Sequence, residues 1–441
     1  MKKSTYHRLA SWVLLLAMSA APALAQVPAP AEPQEKPIIL LGVTAHIGNG
    51  EVIENAVIAF EDGKITMAGP ASDAENMDLS GYEQIQAEGK HVYPGFILPN
   101  TELGLVEIGA VRATVDNEEE GVLNPNVRSI ISYNTDSELI PTFRFNGILV
   151  AQITPVGGMV SGSSSVVHLD AWNWEDAAML TDDAMHINWP GRKRTEFDYS
   201  TYTANRVPNE KYEEQVQTLE NLFSDGAAYA EIRERGEPNL KLEATKGLFD
   251  GSKALHIHAD EAKEIIEAVK FAQSHKVQRI VLVGGYEAYL ITDFLKENEI
   301  PVIIDNLHDL PQLSGDDVDQ QFKLPALLHQ EGIMVSLGYN DAVNRSRNLP
   351  FIAGTAAAYG VDKEDALMMI TSNTAKILGI DDKVGTLEKD KQATLFVSEG
   401  DALDMRTNIV AHAFIDGRKI TLPAMQQRLY EKYKEKYSGA E

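Results

Sequence analysis

Short apolar runs at both ends of the chain predict β-strands joined by tight turns. Near the N-terminus two such runs flank Asp62-Gly63, and near the C-terminus two others flank Asp416-Gly417. An Asp-Gly pair between strand-forming runs is a strong hairpin signal, because such residues tolerate a positive φ. The two β-rich ends predict one composite β-sandwich domain, built from residues 38–94 and 385–423.

Between these ends, strand-like apolar runs alternate with amphipathic helical segments. Strands are predicted at 147–153, 165–169, 255–259, 279–285, 300–305 and 334–338. Helices are predicted at 260–274, 289–298, 324–331 and 365–378. Repeated β–α units imply a parallel sheet, and this number of units favours a closed barrel. The predicted fold class is therefore α/β, with a (β/α)8 barrel over residues 95–384.

Two segments do not follow the alternation. Residues 192–246 are charged, with a helix-like stretch at 210–226, and are interpreted as an insertion over one barrel face. Residues 424–441 are predicted to form a C-terminal helical tail.

The first barrel strand is predicted to run from Tyr93 to Glu102. It is entered through Pro94-Gly95 and ends in two polar side chains, those of Asn100 and Glu102. Residues i and i+2 of a strand point to the same side, so we expect these two side chains to project together. Chemistry in (β/α)8 barrels is located at the carboxyl ends of the strands, where this pair would lie.

The N-terminal segment predicts export. Basic residues precede a short apolar run, and Ala23-Leu24-Ala25 has the small side chains of a cleavage site. This pattern is typical of a signal peptide over residues 1–25, cleaved after Ala25, with an uncleaved anchor as the alternative. Residues 26–37 form a Pro/Ala/Glu-rich linker. The mature protein is expected to be periplasmic or secreted.

Composition narrows the possible partners and ligands. The formal net charge of the 441 residues is −26, which disfavours binding to nucleic acid or to an anionic membrane. The chain has no cysteine, so its stability has to come from a large core without disulfides. Metal ligands would have to be histidine, carboxylate or amide groups. A small-molecule substrate is the expected partner.

Several motifs resemble those of the amidohydrolase superfamily, and more narrowly of its imidazolonepropionase-related members. They are the Pro94-Gly95 entry to the first strand, the segment Thr371 to Ile380, and the closing segment Val384 to Ala393. The resemblance implies a (β/α)8 barrel with a composite β-sandwich. It also implies hydrolysis of C–N bonds, often in cyclic amides, by a metal-activated water.

This sequence departs from the family pattern at the metal ligands. The resemblance places a His-x-His pair where Asn100 and Glu102 stand, and a histidine where strand 6 ends in Gly284-Gly285. His256 and His258 fit the strand-5 ligand and lie at i and i+2 of one strand. The metal-ligand prediction is therefore Glu102, His256 and His258 with Asn100 as a weak fourth, and zinc is the first choice of ion. The other interpretation is that these side chains bond to barrel loops and fill a polar core.

Asp341 holds the place of the family's strand-8 acid. It is predicted to be the general base that moves a proton from water to the leaving amine. Its alternative role is to cap the helix that follows, since Asp favours N-caps.

Four further residues are candidates for substrate binding. Gly157 and Gly158 lie in a Gly/Ser-rich stretch that forms either an anion-binding nest or a flexible loop. Trp172 is a candidate for stacking on a ring-shaped substrate, although packing is the more common use of tryptophan. His308 follows a strand and would lie near the barrel mouth or in a solvated loop.

The leading hypothesis is an exported, metal-dependent hydrolase acting on non-peptide C–N bonds. A second hypothesis is a catalytically degenerate barrel that binds a small molecule or an active paralogous subunit. It is motivated by the missing imidazoles of strands 1 and 6. A third is a barrel that uses carboxylates alone, whose activity would survive chelators. A homo-oligomer is compatible with all three.

Overall fold

The computed structural model describes residues 29–200, 202–232, 236–305, 307–311, 315–339 and 342–438. Its contacts group residues 31–441 into one unit, to which the following account refers. The signal-peptide prediction and Asp341 lie outside the described residues. No helix among these residues has the length and apolar character needed to cross a bilayer.

In chain order, the strands are β1 (Ile38–His46), β2 (Val52–Glu61), β3 (Lys64–Pro70), β4 (Glu83–Gln86), β5 (His91–Pro94), β6 (Phe96–Thr101), β7 (Ile148–Ile153), β8 (Val160–Ser163), β9 (Ser165–His168), β10 (Ala178–Leu180), β11 (Ala184–Asn188), β12 (Lys193–Asp198), β13 (Thr203–Pro208), β14 (Ala254–Ala259), β15 (Ile280–Gly284), β16 (Val302–Ile304), β17 (Val335–Leu337), β18 (Leu395–Ser398), β19 (Val410–Ile415) and β20 (Arg418–Lys419). The helices are α1 (Ile140–Arg144), α2 (Trp174–Ala177), α3 (Tyr212–Glu231), α4 (Leu240–Thr245), α5 (Gly247–Asp250), α6 (Ala262–Ser274), α7 (Thr292–Glu297), α8 (Gln320–Gln330), α9 (Leu349–Ala358), α10 (Lys363–Met368), α11 (Ser372–Leu378) and α12 (Met425–Ser438).

Both ends of the chain contribute to one eight-stranded sheet, in the order β20-β19-β18-β5-β1-β2-β3 with β4 paired to β1. The two ends meet where β18 pairs antiparallel with β5, with Leu395 opposite Pro94. Phe60 and Phe414, one from each end, are fully buried with ring centroids 4.9 Å apart. The expected sandwich is, in its hydrogen bonding, one continuous sheet.

The middle of the chain forms a four-stranded sheet, β10-β9-β7-β6, and a six-stranded sheet, β17-β16-β15-β14-β11-β8. Strands β6 and β7 are parallel, as are β11, β14, β15, β16 and β17. Strands β8 and β9 follow one another in the chain, and β8 pairs with β11 while β9 pairs with β7. The segment 160–168 therefore borders both sheets.

This bordering segment runs antiparallel to its neighbours, which corrects the prediction of parallel strands throughout. The chain reverses after β7 through Gly157 and Gly158, whose φ angles are 84° and 62°. Glycine adopts such angles without strain, so a tight reversal replaces a crossover helix here. The Gly/Ser-rich stretch expected to be a flexible loop contains the buried strand β8.

Residues 369–370, the 369–370 connector, link strands β17 and β6 through backbone hydrogen bonds. The Ile97 amide donates to the Ile370 carbonyl at 2.9 Å, and the Leu337 amide donates to the Met369 carbonyl at 3.0 Å. Residues 369–370 therefore lie between the outer strands of the two middle sheets.

The insertion contains α3, close to the predicted helix, and the hairpin β12–β13, which was not predicted. The hairpin is mostly exposed, so its sequence lacks the apolar alternation that reveals a half-buried strand. Trp189 anchors the insertion, because its indole packs on Phe271 and donates to the Tyr212 hydroxyl at 3.3 Å.

A buried carboxylate connects the middle of the chain to the composite sheet. Asp170 accepts from the Arg144 guanidinium, from Arg418 Nη1 at 3.0 Å and from the Ala31 amide at 2.9 Å. Its side chain is 4% exposed and that of Arg144 is 8% exposed. The cluster joins α1, the end of β9, the N-terminal segment and β20.

Candidate functional site

A polar cleft of about 150 Å³ lies at the carboxyl ends of the parallel strands. Its lining residues come from the ends of β6, β7, β11, β14 and β17 and from β8. They are Asn100, Thr101, Glu102, Thr154, Pro155, Val156, Ser161, Asn188, His258, Tyr339, Val343 and Ser346. The cleft therefore lies at the end of the strands at which the sequence predicts a site.

Asn100 and Glu102 both line this cleft, but their side chains have different partners. Asn100 Nδ2 donates to Asp305 Oδ2 at 3.0 Å, whereas Glu102 accepts from Asn117 Nδ2. Asn100 has a φ of 51°, and β6 ends at Thr101. The left-handed φ of Asn100 interrupts the regular alternation of the strand, and both side chains still line the cleft.

The strand-5 histidines lie on one side of β14, as predicted. The ring centroid of His186, on the neighbouring β11, is 4.8 Å from that of His256 and 5.3 Å from that of His258. His256 is fully buried, and neither of its ring nitrogens has a hydrogen-bond partner among the described residues. Burial lowers the pKa of His256 to about 3 and that of His258 to about 4, so both rings are neutral at pH 7.

His186 is a site residue that the sequence analysis missed. Its Nδ1 lies 3.0 Å from His258 Nε2, and its Nε2 lies 3.0 Å from Ser164 Oγ. Burial holds the pKa of His186 well below its usual value. The signal was present in the sequence as a lone histidine in the apolar run Ala184 to Ile187, just before Trp189.

A buried carboxylate lies behind these histidines. Asp183 accepts from Ser164 Oγ at 2.8 Å and from Gln152 Nε2 at 2.6 Å. Burial raises the pKa of Asp183 to about 6, and the two hydrogen bonds oppose that rise.

Strand β15 ends at Gly284, where the resemblance implied a histidine, and two acids lie beside it. Asp260 Oδ1 lies 2.8 Å from the position that a Cβ on Gly284 would occupy, so the carboxylate fills the space beside this glycine. Asp305 follows β16, and burial together with the charge of Asp260 raises its pKa to about 7.

The substrate-binding candidates lie outside the cleft lining. Added Cβ atoms at Gly157 and Gly158 would meet Glu118 and the backbone around Val122, so this turn packs against that loop. His308 is exposed, with its Nε2 2.9 Å from Thr355 Oγ1.

Trp172 also lies away from the cleft. Because β9 is antiparallel to β7, the chain after β9 lies near the start of β7, where the Leu169 amide donates to the Leu149 carbonyl. Trp172 follows this point and is 68% exposed. Trp172 is therefore not among the residues that line the cleft, and its role in substrate binding stays a prediction.

The described residues do not fit a metal centre. No group of three His, Asp or Glu side chains among them is arranged to hold an ion. Among the predicted ligands, Asn100 is bonded to Asp305, Glu102 to Asn117 and His258 to His186. We therefore assign no chemical step to a metal.

Comparisons with known proteins agree with this architecture. The sequence profile of the Amidohydrolase family matches residues 153–420, more than half of the chain. The chain belongs to the amidohydrolase family. It is also similar to an imidazolonepropionase from Thermoanaerobacter pseudethanolicus, with 23% identity over 81% of this chain and 86% of the relative.

Solved structures of amidohydrolase relatives have the same fold. An amidohydrolase from Thermotoga maritima superposes with a TM-score of 0.74 at 24% identity, covering 87% of this chain and 99% of that one. An adenosine deaminase from Xanthomonas campestris with bound zinc gives a TM-score of 0.54 at 14% identity, covering 93% and 100%. These relatives imply a TIM barrel with a β-rich domain, and one of them carries a divalent metal.

The buried histidines predict that the protein is unstable in acid. Their depressed pKa values mean that the unfolded chain binds more protons below pH 6.5, so stability is lost as the pH falls from 6.5. At pH 5, three buried histidines should each lower the free energy of unfolding by roughly 2 kcal/mol. They are His168, His256 and His258. Asp183 and Asp305 act in the opposite direction, because their raised pKa values favour the folded state as the pH falls. We expect a net loss of a few kcal/mol between pH 7.5 and pH 5.

Urea unfolding at pH 7.5, 6 and 5 measures this loss. His168 lies outside the cleft lining, so His168→Leu serves as the matched variant. It should bind about one proton fewer on unfolding, which makes the free energy of unfolding depend less steeply on pH. A urea midpoint that stays constant or rises toward pH 5 would contradict the prediction.

Proposed function

We propose that this protein hydrolyses a C–N bond in a small cyclic, non-peptide amide bound in the cleft. The observation that carries the proposal is that the Glu102 carboxylate and the His258 imidazole line the same cleft. Membership of the amidohydrolase family supports this reaction class.

The middle strands are proposed to close into a (β/α)8-type barrel with one reversed member. Eight strand positions follow in the order β6, β7, the segment 160–168, β11, β14, β15, β16 and β17. The 369–370 connector between β17 and β6 supports closure, as does the T. maritima structure. The composite sheet over 38–94 and 385–423 is proposed to form the second domain.

Within the cleft, Glu102 is proposed as the general base. Its carboxylate takes a proton from the attacking water as the water oxygen bonds to the carbonyl carbon. It returns that proton to the ring nitrogen as the C–N bond breaks, which leaves a carboxyl group and an amine. Ser161 Oγ accepts from Asn188 Nδ2 at 3.2 Å and keeps its own proton to donate to the carbonyl oxygen. Asp341, the base that the sequence predicted first, stays a prediction because it lies outside the described residues.

Hydrolysis by the purified protein tests the proposal. A panel of lactams, cyclic ureas and cyclic imides is incubated with the protein, and ring opening is followed by the new carboxylate in NMR spectra. We expect turnover of at least one ring class and none of a linear peptide. Binding of a ring compound without turnover would favour the degenerate barrel that serves as a binding or partner subunit.

Zinc stays a prediction of the family resemblance. Metal analysis of the wild-type protein beside Glu102→Ala and His258→Ala tests it, with activity measured before and after chelation. About one equivalent of metal, lost in both variants, would assign the ion to these residues. Activity that persists after chelation would favour the carboxylate mechanism.

Export to the periplasm or medium is proposed from the signal-peptide pattern. Fractionation of cells that express the full chain, followed by N-terminal sequencing, tests it. A mature protein that begins at Gln26 is expected, whereas an uncut chain in the cytoplasmic fraction would contradict export.

A further inference from the structure

A continuous run of hydrogen bonds leads from the backbone of β6 to the imidazole of His258. The Asn100 amide donates to Gln152 Oε1 at 3.1 Å, and Gln152 Nε2 donates to Asp183 and, at 3.1 Å, to Ser164 Oγ. The run continues through Ser164 and His186 to His258. Gln152, Ser164 and His186 are fully buried, and Asp183 is 2% exposed.

The first hydrogen bond of this run determines which atom donates and which accepts in each later bond. A backbone N–H can only donate, so it fixes Gln152 Oε1 as an acceptor and directs Nε2 toward Asp183 and Ser164. Ser164 Oγ lies 2.8 Å from the Asp183 carboxylate and 3.4 Å from the Ala184 carbonyl. The ionised carboxylate can only accept and forms the shorter, stronger bond, so the single Ser164 proton is donated to it. Both lone pairs of Ser164 Oγ are then left to accept from Gln152 Nε2 and His186 Nε2.

The same reasoning determines which ring nitrogen carries the proton in His186 and in His258. His186 carries its proton on Nε2, and because an imidazole is neutral at pH 8, its Nδ1 is an acceptor. His258 Nε2, 3.0 Å away, must then be the donor. A neutral His258 with its proton on Nε2 has an unshared electron pair on Nδ1, and this atom makes no hydrogen bond among the described residues.

We propose that Gln152, Asp183, Ser164 and His186 act as positioning residues that hold His258 in the Nε2-protonated tautomer, so that its Nδ1 accepts a hydrogen bond from the molecule in the cleft. The proposal rests on the proposed function for its ligand class. Neither lysine nor arginine is among the described residues that line the cleft. The matching ligand carries ring N–H groups, as an unsubstituted lactam or cyclic urea does.

A single substitution should invert both tautomers. In Asp183→Asn, the amide oxygen accepts from Gln152 and the new N–H₂ group donates to Ser164. Ser164 then donates its proton to His186 Nε2, so His186 carries its proton on Nδ1 and donates to His258 Nε2. His258 is left with its proton on Nδ1 and offers a donor to the cleft.

Long-range ¹H–¹⁵N spectra of histidine-labelled protein detect this change without any activity assay. The His258 resonances are assigned with His258→Asn, and the spectra are recorded at pH 8, where Asp183 is ionised. We expect protonated Nε2 in the wild type and protonated Nδ1 in Asp183→Asn. Asp182→Asn is the matched control, because Asp182 pairs with Arg128 outside the run and should leave the tautomer unchanged.

The outcomes are distinct from those of the hydrolysis test. A wild-type His258 with its proton on Nδ1 would overturn the proposal, whatever the protein hydrolyses. If Asp183→Asn fails to fold, Ser164→Ala removes the link between Asp183 and His186, and His258 should then show both tautomers. A single unchanged tautomer in Ser164→Ala would also overturn the proposal.

If the protein turns over cyclic ureas, KM for an N–H compound should rise at least tenfold in Asp183→Asn, with a smaller change in kcat.

Discussion

Replacing Asp170 by alanine is expected to lower the free energy of unfolding by about 3–5 kcal/mol, because it leaves buried charge without a partner. Asp170 is the shared acceptor of two guanidinium groups, and Arg144 is nearly as buried as Asp170 itself. Burial lowers the pKa of Arg144, and the adjacent carboxylate opposes that effect. Without Asp170, the Arg144 side chain must stay charged in an apolar setting or pull solvent into the core.

Equilibrium unfolding in urea measures this loss. Asp404→Ala is the matched control, since Asp404 also pairs with an arginine, Arg406, but on the surface. Surface pairs contribute little to stability, so this variant should unfold at nearly the wild-type urea concentration. Equal midpoints for the two variants would show that the Asp170 cluster does not hold the two parts of the fold together.

Replacing Glu102 by glutamine is expected to lower kcat on the cyclic substrate by about 10²–10⁴-fold, the usual contribution of a general base. Glutamine has nearly the same shape and can still accept from Asn117, so the fold and the substrate KM should change little. The measurement is steady-state kinetics on the best ring compound, with the thermal midpoint recorded for each variant.

Glu107→Gln is the matched control for Glu102→Gln. Glu107 accepts from Asn134 Nδ2 at 3.2 Å in an exposed setting and does not line the cleft, so its loss should leave kcat unchanged. Full activity of Glu102→Gln would assign the base to another carboxylate, with Asp341 as the next residue to change.

The sequence predicted the elements that are short apolar runs bounded by clear turn residues. The terminal strands are such runs, and both residues of each Asp-Gly pair between them have a positive φ, so their hairpins were evident. The parallel strands β14 to β17 are short buried apolar runs and were found for the same reason. Strand β8 was missed because it lies in a Gly/Ser stretch, where strand propensity is weak.

The candidate site was predicted in position but not in its contacts. The spacing of His256 and His258 fixed which side of β14 they share, because that depends on strand geometry alone. The partner of Asn100 depends on a left-handed φ at one residue, and the role of His186 depends on the register between β11 and β14. Neither follows from a local pattern, since both are decided by segments far apart in the chain.

The composite sheet imposes an order on biosynthesis. Strand β5 is complete when about a fifth of the chain has been made, but its partner β18 begins at Leu395. Until then, one edge of β5 offers unpaired backbone groups, and such an edge is a template for pairing with other chains. For most of its synthesis, the chain therefore depends on chaperones, or on rapid transfer to them, to keep this edge from pairing with other chains. A chain that stops before Leu395 is expected to aggregate.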